Sequence, residues 1–170
     1  MFKVLAAATA MIALATASGA KPKKVAKHGD WEVLCERKTG ECTAQQKLRT
    51  PDQETVEISG FPVQSGEAVA GFEIRVSGNA LLKPGITISI DGGQWLAYDY
   101  TVCRKSRCLI QLGLTSKTLK EYLRGQTGEI HFYLFDDPHV RRTARFSLSG
   151  FSDAFADVGN RSGPRRVTGQ

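Results

Sequence analysis

Four cysteines are the residues of this chain whose spacing most suggests chemistry: Cys35 and Cys42, then Cys103 and Cys108. Cysteine pairs can catalyse thiol exchange, and four thiolates can hold zinc. A redox site has Cys-x-x-Cys at a helix start, where the helix dipole lowers the thiol pKa, and neither pair has that spacing. Only the second pair comes near the spacings of zinc sites. The pattern therefore predicts disulfides, with no metal and no cofactor.

The spacing also favours one connectivity among the three that four cysteines allow. The segments ERKTGE and RKSR are polar and turn-like, and each separates two cysteines that flank it closely. Residues that face each other on antiparallel strands have the Cβ separation of a disulfide. We therefore expect Cys35–Cys42 and Cys103–Cys108, each contributing roughly 2–2.5 kcal/mol through loop entropy.

The loop CRKSRC carries three basic residues, Arg104, Lys105 and Arg107, inside the second cysteine pair. A loop held by a disulfide loses little conformational entropy when it meets a partner. These three residues are thus the predicted partner-binding residues, called the basic tip below. The alternative is that a hairpin tip is charged only to remain soluble.

Acidic residues supply the competing hypothesis of an enzyme. A hydrolase acting on carbohydrate needs two carboxylates about 5–10 Å apart, and Asp91, Asp99, Asp136 and Asp137 are the candidates. The stretch FDDPHVRR also offers His139 as a metal ligand. However, aspartate and proline are favoured in turns for backbone reasons, so a turn is predicted there. The chain has no Gly-x-Ser-x-Gly elbow, no Walker loop and no His-Glu-x-x-His.

Two tryptophans and a strand histidine complete the candidates. Trp31 and Trp95 are expected to fill the core or cap its edge, and the alternative is that they stack on a ligand. His131 lies between Ile130 and Phe132, so its side chain is predicted to face away from the core.

The elements that must position these residues are mostly strands. Alternation of apolar and polar residues recurs after residue 30, as in GFEIRVSG, ITISI, QWLAYDYTVC and EIHFYLF, and predicts eight or nine short strands. Asp91-Gly92-Gly93 predicts a hairpin turn. Helices are predicted from about Ser116 to Gly125 and from about Ser152 to Gly159. Sequential hairpins with two short helices at connections favour an all-β antiparallel sandwich.

The two ends of the chain indicate export and solvated tails. The opening MFKVLAAATAMIALATASGA has the basic, apolar and small-residue order of a secretory signal peptide over residues 1–20, with cleavage expected near Ala20 or Ala17. The remaining chain has no apolar run long enough to cross a membrane. Residues 21–27 are predicted as a basic flexible segment, 28–158 as the sandwich domain and 159–170 as a basic disordered tail. The protein is expected to be periplasmic or secreted.

Three segments resemble, in order, the invasion-associated locus B family: HGDWEVLCE, YDYTVCRKSRCLIQLGL and FSLSGFSDAFADV. The matching pattern comprises Gly29 to Cys35, the Cys103 and Cys108 pair, and Ser147 to Phe151. The resemblance implies an exported β-sandwich protein of the cell envelope, from a family found mainly in alphaproteobacteria and associated with entry into host cells. It transfers no catalytic residues.

Together these observations predict a non-enzymatic binding module of the cell envelope. Its partner is expected to be a protein, a glycan or an anionic envelope component, and not nucleic acid, because the chain is exported. The alternatives are the hydrolase with paired carboxylates and a purely structural envelope protein whose sheet edge pairs with another chain.

Overall fold

The computed structural model describes residues 21–77, 79–105 and 107–166. These residues form twelve strands and two helices, and the strands build two sheets. In chain order the elements are β1 Lys23–His28, β2 Trp31–Cys35, β3 Cys42–Arg49, β4 Thr55–Ser65, β5 Ala68–Ser77, β6 Ile86–Ile90, β7 Leu96–Tyr98, β8 Val102–Arg104, β9 Arg107–Thr115, α1 Ser116–Arg124, β10 Thr127–Leu134, β11 Asp137–Ser147, α2 Phe151–Ser162 and β12 Arg165–Arg166.

The larger sheet has the order β1-β2-β3-β4-β5-β9-β8, and all of these neighbours are antiparallel. The short strand β12 adds to β4 in parallel. The smaller sheet has the order β11-β10-β6-β7 and is antiparallel throughout. The two sheets confirm the predicted antiparallel β-sandwich.

The core lies between the two sheets because alternate residues of each strand point inward. In β10, Ile130 and Phe132 are fully buried, whereas His131 between them faces outward. Trp31 lies 4.7 Å from Phe151 of α2, measured between ring centroids, and Phe72 of β5 lies 5.5 Å from the same ring. The helix α2 therefore closes one end of the sandwich with aromatic packing.

The stretch QWLAYDYTVC, predicted as one strand, is divided between the sheets. Leu96–Tyr98 pair with β6 in the smaller sheet, and Val102–Arg104 pair with β9 in the larger one. The apolar residues continue to alternate across the break, so the pattern of the sequence contains no sign of the crossing. This division, with β1 and β12, brings the strand number above the expected eight or nine.

Both disulfides form with the local pairing that the spacing favours. Cys35 bonds to Cys42 across β2 and β3, and Cys103 bonds to Cys108 across β8 and β9. In each case the two cysteines are direct partners in the strand register. The disulfides therefore close two hairpins.

The structure differs from the expectation at both ends of the domain. Most of the segment 21–27, expected to be flexible, lies in β1, because the edge of β2 offers hydrogen bonds and Glu32 pairs with Lys24 at 2.6 Å. In the expected disordered tail, α2 continues past Gly159 to Ser162 and β12 follows. The Arg165 guanidinium lies 3.8 Å from the centre of the Phe61 ring, which holds this last strand on the sandwich. The predicted signal peptide and residues 167–170 lie outside the described residues.

Candidate functional site

The basic tip lies at one edge of the larger sheet. Arg104 and Arg107 face each other in the β8–β9 register, and Lys105 lies in the turn between them. All three side chains are exposed. The structure thus brings the three predicted partner-binding residues together at one exposed hairpin end.

Three of the four candidate aspartates, Asp91, Asp99 and Asp137, have separate structural partners. Asp91 accepts hydrogen bonds from the backbone N–H groups of Thr127 (2.8 Å) and Gln126 (3.0 Å), and these bonds lower the pKa of its carboxyl group. It therefore anchors the connection from α1 to β10. Asp99 pairs with Lys83 at 3.2 Å on the surface.

Asp136 and Asp137 lie at the opposite end of β10 from Asp91. Asp91 contacts Thr127 at the first residue of β10, whereas Asp137 is the register partner of Leu134 at its last. Seven steps of about 3.3 Å put these ends roughly 23 Å apart, beyond the 5–10 Å of paired glycosidase carboxylates. Asp91 therefore pairs with neither Asp136 nor Asp137 in this fold.

The three histidines occupy different surroundings. His28 Nε2 lies 2.9 Å from Asp157 Oδ2, and Arg161 Nε lies 2.7 Å from Asp157 Oδ1, so this group joins the end of β1 to α2. His139 is exposed at the start of β11. The described residues contain no cluster of three or more His, Cys, Asp or Glu that could hold a metal ion.

The third histidine, His131, lies in a groove on the outer face of the smaller sheet. This groove has a volume of about 830 Å³, within the usual range of ligand sites. In the strand register, His131 lies between Thr143 of β11 and Thr87 of β6. The groove is lined by Arg49, Pro51, Pro84, Thr87, Trp95, Glu129, His131, Tyr133, Arg141, Thr143 and Arg145.

Trp95 lies flat over His131 in this groove. The ring centroids are 4.0 Å apart and the planes differ by 22°, a stacked arrangement. The Trp95 side chain covers the imidazole, of which only 12% is exposed, while Trp95 itself remains 42% exposed. The second face of the indole ring is consequently turned to solvent.

The groove carries an excess of positive charge. Arg145 Nε lies 2.7 Å from Glu129 Oε1, so this arginine and the one carboxylate that lines the groove neutralise each other. Arg49 and Arg141 are exposed and form no ion pair with any described residue. Two guanidinium groups are therefore available to an anionic ligand.

The pKa values in the groove follow from burial and charge. Burial under Trp95, together with the positive charge of Arg141, lowers the pKa of His131, although Glu129 acts in the opposite direction. The hydrogen bond from Arg145 lowers the pKa of Glu129. The lowered pKa favours the uncharged imidazole, which can both donate and accept a hydrogen bond.

The sequence predicted the outward direction of His131 but not the groove. Glu129 and His131 alternate with buried residues along β10, as Thr143 and Arg145 do at the end of β11, whereas Arg141 has no buried neighbour. This alternation is the only sequence signal for the lining. Trp95 was expected to fill the core or cap its edge, and it instead covers His131 at the sheet surface.

The motif segments at the two ends of the domain meet in space and have structural roles. Trp31 Nε1 donates to the carbonyl oxygen of Ser147 at 2.8 Å, and the Asp30 N–H donates to that of Ser149 at 3.1 Å. Gly29 and Gly150 both have positive φ angles and lie so close that a Cβ on either would meet the backbone of the other segment. These residues therefore join β2 to the turn that precedes α2.

The structure is that of a disulfide-linked antiparallel β-sandwich with an aromatic and basic groove on one outer face. The chain belongs to the invasion associated locus B (IalB) protein family, whose sequence pattern matches residues 31–159. This match confirms the resemblance seen in the motifs.

A crystal structure of invasion associated protein B from Bartonella henselae has a similar fold. It superposes with a TM-score of 0.61 at 15% sequence identity, covering 78% of this chain and 94% of the other. At this identity the similarity concerns the fold alone. No curated protein shows significant sequence similarity to the chain. Neither helix of the described residues is long and apolar enough to cross a membrane.

Proposed function

We propose that this protein is an exported, non-enzymatic binding module that holds an anionic component of the bacterial cell envelope. The observation that carries the proposal is the pair of arginines without ion-pair partners, Arg49 and Arg141, in a groove whose one carboxylate is already neutralised. Arginine binds carboxylates and phosphates with two parallel hydrogen bonds, so a pair of unpaired guanidinium groups favours an anionic partner.

Export is supported by the amino-terminal sequence and by the two disulfides. Disulfides persist in oxidising compartments such as the periplasm and the cell exterior. The periplasm or the medium is therefore the proposed location, with the signal peptide removed near Ala20 or Ala17.

The absence of catalysis is proposed from the partners of the acidic residues. Asp91 accepts backbone hydrogen bonds, Asp99 pairs with Lys83, and Asp137 pairs with Arg142 at 3.2 Å. Carboxylates committed to structural bonds are poor candidates for a general acid and its base.

The basic tip remains a second proposed contact for the same partner. Arg104, Lys105 and Arg107 are exposed together beside the Cys103–Cys108 disulfide. A long anionic envelope polymer could contact both surfaces, and each contact would then add to the apparent affinity.

Co-sedimentation with envelope fragments of the producing bacterium tests the proposal. The exported, oxidised protein should bind at low salt and lose affinity as salt rises. The double variant Arg49→Ser, Arg141→Ser should bind at least about tenfold more weakly. The triple variant Arg104→Ser, Lys105→Ser, Arg107→Ser measures the contribution of the basic tip to binding, apart from that of the groove. Loss of binding only in the triple variant would assign the site to the tip and not to the groove.

Mass spectrometry of the same mixtures tests the non-enzymatic part. The soluble fraction should contain no low-mass envelope fragments that depend on the protein. Fragments that appear with the wild type and disappear with Asp136→Asn, Asp137→Asn would instead support the hydrolase.

A further inference from the structure

We propose that the groove binds an acidic polysaccharide, with one sugar ring stacked on the exposed face of Trp95 and a sugar carboxylate held by Arg141 or Arg49. This inference rests on the proposed function and specifies its ligand. It starts from three features of the groove: an aromatic platform, unpaired guanidinium groups and a floor of hydroxyl groups.

The aromatic platform is the solvent-facing side of Trp95. Because its inner face stacks on His131 at 4.0 Å, the indole ring is fixed nearly parallel to the imidazole and cannot turn edge-on without losing that contact. The electron-rich face of an aromatic ring attracts the polarised C–H bonds on the apolar side of a sugar ring. A fixed ring loses little entropy on binding.

The polar partners of a sugar lie beside this platform. Thr87 and Thr143 flank His131 in adjacent strands, so two hydroxyls lie on either side of the imidazole that Trp95 covers. Such groups donate and accept hydrogen bonds, as sugar hydroxyls also do. Together with the charged residues of the lining, these hydroxyls offer hydrogen bonds that a sugar can form and a lipid chain cannot, so the groove favours a hydrophilic ligand.

The dimensions favour an oligomer over a single sugar. The groove has a volume of about 830 Å³, and its two free arginines belong to different sheets: Arg49 ends β3 in the larger sheet and Arg141 lies on β11 in the smaller one. A ligand that contacts the indole ring and both free guanidinium groups therefore has to reach from one sheet to the other.

Isothermal titration with an oligogalacturonate of six sugars tests the inference, because each of its sugars carries a carboxylate. The fully methyl-esterified hexamer is the matched ligand, since it keeps the sugar rings and removes the charge. The wild type should bind the acid, and the ester should bind about tenfold more weakly or not at all. Equal affinities for acid and ester would overturn the assignment of the arginines.

Variants of the platform test the stacking. Trp95→Ala should weaken binding of the acid by about tenfold or more, and Trp95→Phe should restore part of the affinity because a flat ring remains. Phe135→Ala is the control, since Phe135 is 66% exposed but does not line the groove. Unchanged affinity in Trp95→Ala would overturn the stacking role.

A hexaglutamate peptide distinguishes the class of ligand. If it binds as tightly as the oligogalacturonate and with the same dependence on Trp95, the ligand is an acidic peptide and the inference is wrong. If the wild type binds no acidic sugar but still sediments with envelope in an Arg141-dependent manner, this inference fails and the proposed function stands. If the wild type neither binds acidic sugar nor sediments with envelope, both this inference and the proposed function are wrong.

Discussion

The side-chain amide of Gln46 forms hydrogen bonds with both backbone groups of Ser147. Its Oε1 accepts from the Ser147 N–H at 3.0 Å, and its Nε2 donates to the Ser147 carbonyl at 3.2 Å. Gln46 lies on β3 of the larger sheet and Ser147 ends β11 of the smaller one. The amide therefore acts as a strand partner for the free edge of β11 and ties the two sheets together.

Replacement of Gln46 by alanine should lower the free energy of unfolding by about 1–3 kcal/mol, because the partly buried N–H of Ser147 is left without its side-chain partner. Urea unfolding followed by circular dichroism measures the loss. Gln111→Ala is the control, since the Gln111 amide donates only to the Glu73 carboxylate at an exposed position of the larger sheet, and this variant should stay within about 0.5 kcal/mol of the wild type. Equal losses in both variants would contradict the role of Gln46.

Alanine at Gly150 should destabilise the protein more than alanine at Gly40. Both glycines have positive φ angles, 81° and 73°, at which a side chain costs about 1–2 kcal/mol. A Cβ at Gly40 meets no atom within 4 Å, whereas one at Gly150 would meet the His28 carbonyl. Thermal melting of the two variants gives the difference. A smaller loss at Gly150 would show that the two motif segments can separate without cost.

Removal of either disulfide should lower stability by roughly 2–2.5 kcal/mol, since each closes a short loop. The variants Cys35→Ser, Cys42→Ser and Cys103→Ser, Cys108→Ser test the pairs separately. Removal of the Cys103–Cys108 disulfide should also weaken any binding that the basic tip provides, because Arg104 and Arg107 would no longer be held at a fixed hairpin end. Unaltered unfolding curves in both variants would show that the disulfides do not constrain the unfolded chain.

Asp157 should contribute stability that depends on pH. Its hydrogen bond with His28, followed by its bond with Arg161, lowers the pKa of the carboxyl group below 3.8 in the folded protein. The contribution is therefore complete above the unfolded value of 3.8 and is lost as pH falls through the lower folded value. The stability difference between wild type and Asp157→Asn should be largest near neutral pH and should shrink below pH 3.8. A difference that stays constant down to the most acid conditions would contradict this linkage.

Affinity for an anionic ligand should rise as pH falls from 7 to 5. His131 faces Glu129 and the arginines Arg141 and Arg145, and its pKa lies below 6.5 in the free protein. An anion that binds nearby favours the imidazolium form, so binding takes up a proton, while the carboxylates of the ligand remain ionised in this range. NMR titration of His131 with and without oligogalacturonate should show a higher pKa in the complex. In His131→Gln the pH dependence should disappear.

The sequence by itself determined most of the strands, the class of fold and the disulfides. These follow from short-range chemistry: alternation of apolar and polar residues sets the two faces of each strand, and a polar turn between two nearby cysteines brings them opposite each other. For the same reason, the outward direction of His131 could be read from its neighbours Ile130 and Phe132.

Only the tertiary structure decided where the chain crosses from one sheet to the other and which outward residues meet. Trp95 and His131 are far apart in the sequence, and they stack because β7, β6 and β10 are neighbours in one sheet. Likewise β1 forms because β2 has a free edge, although the segment is rich in lysine. A groove arises from contacts between distant strands, and local periodicity carries no information about those contacts.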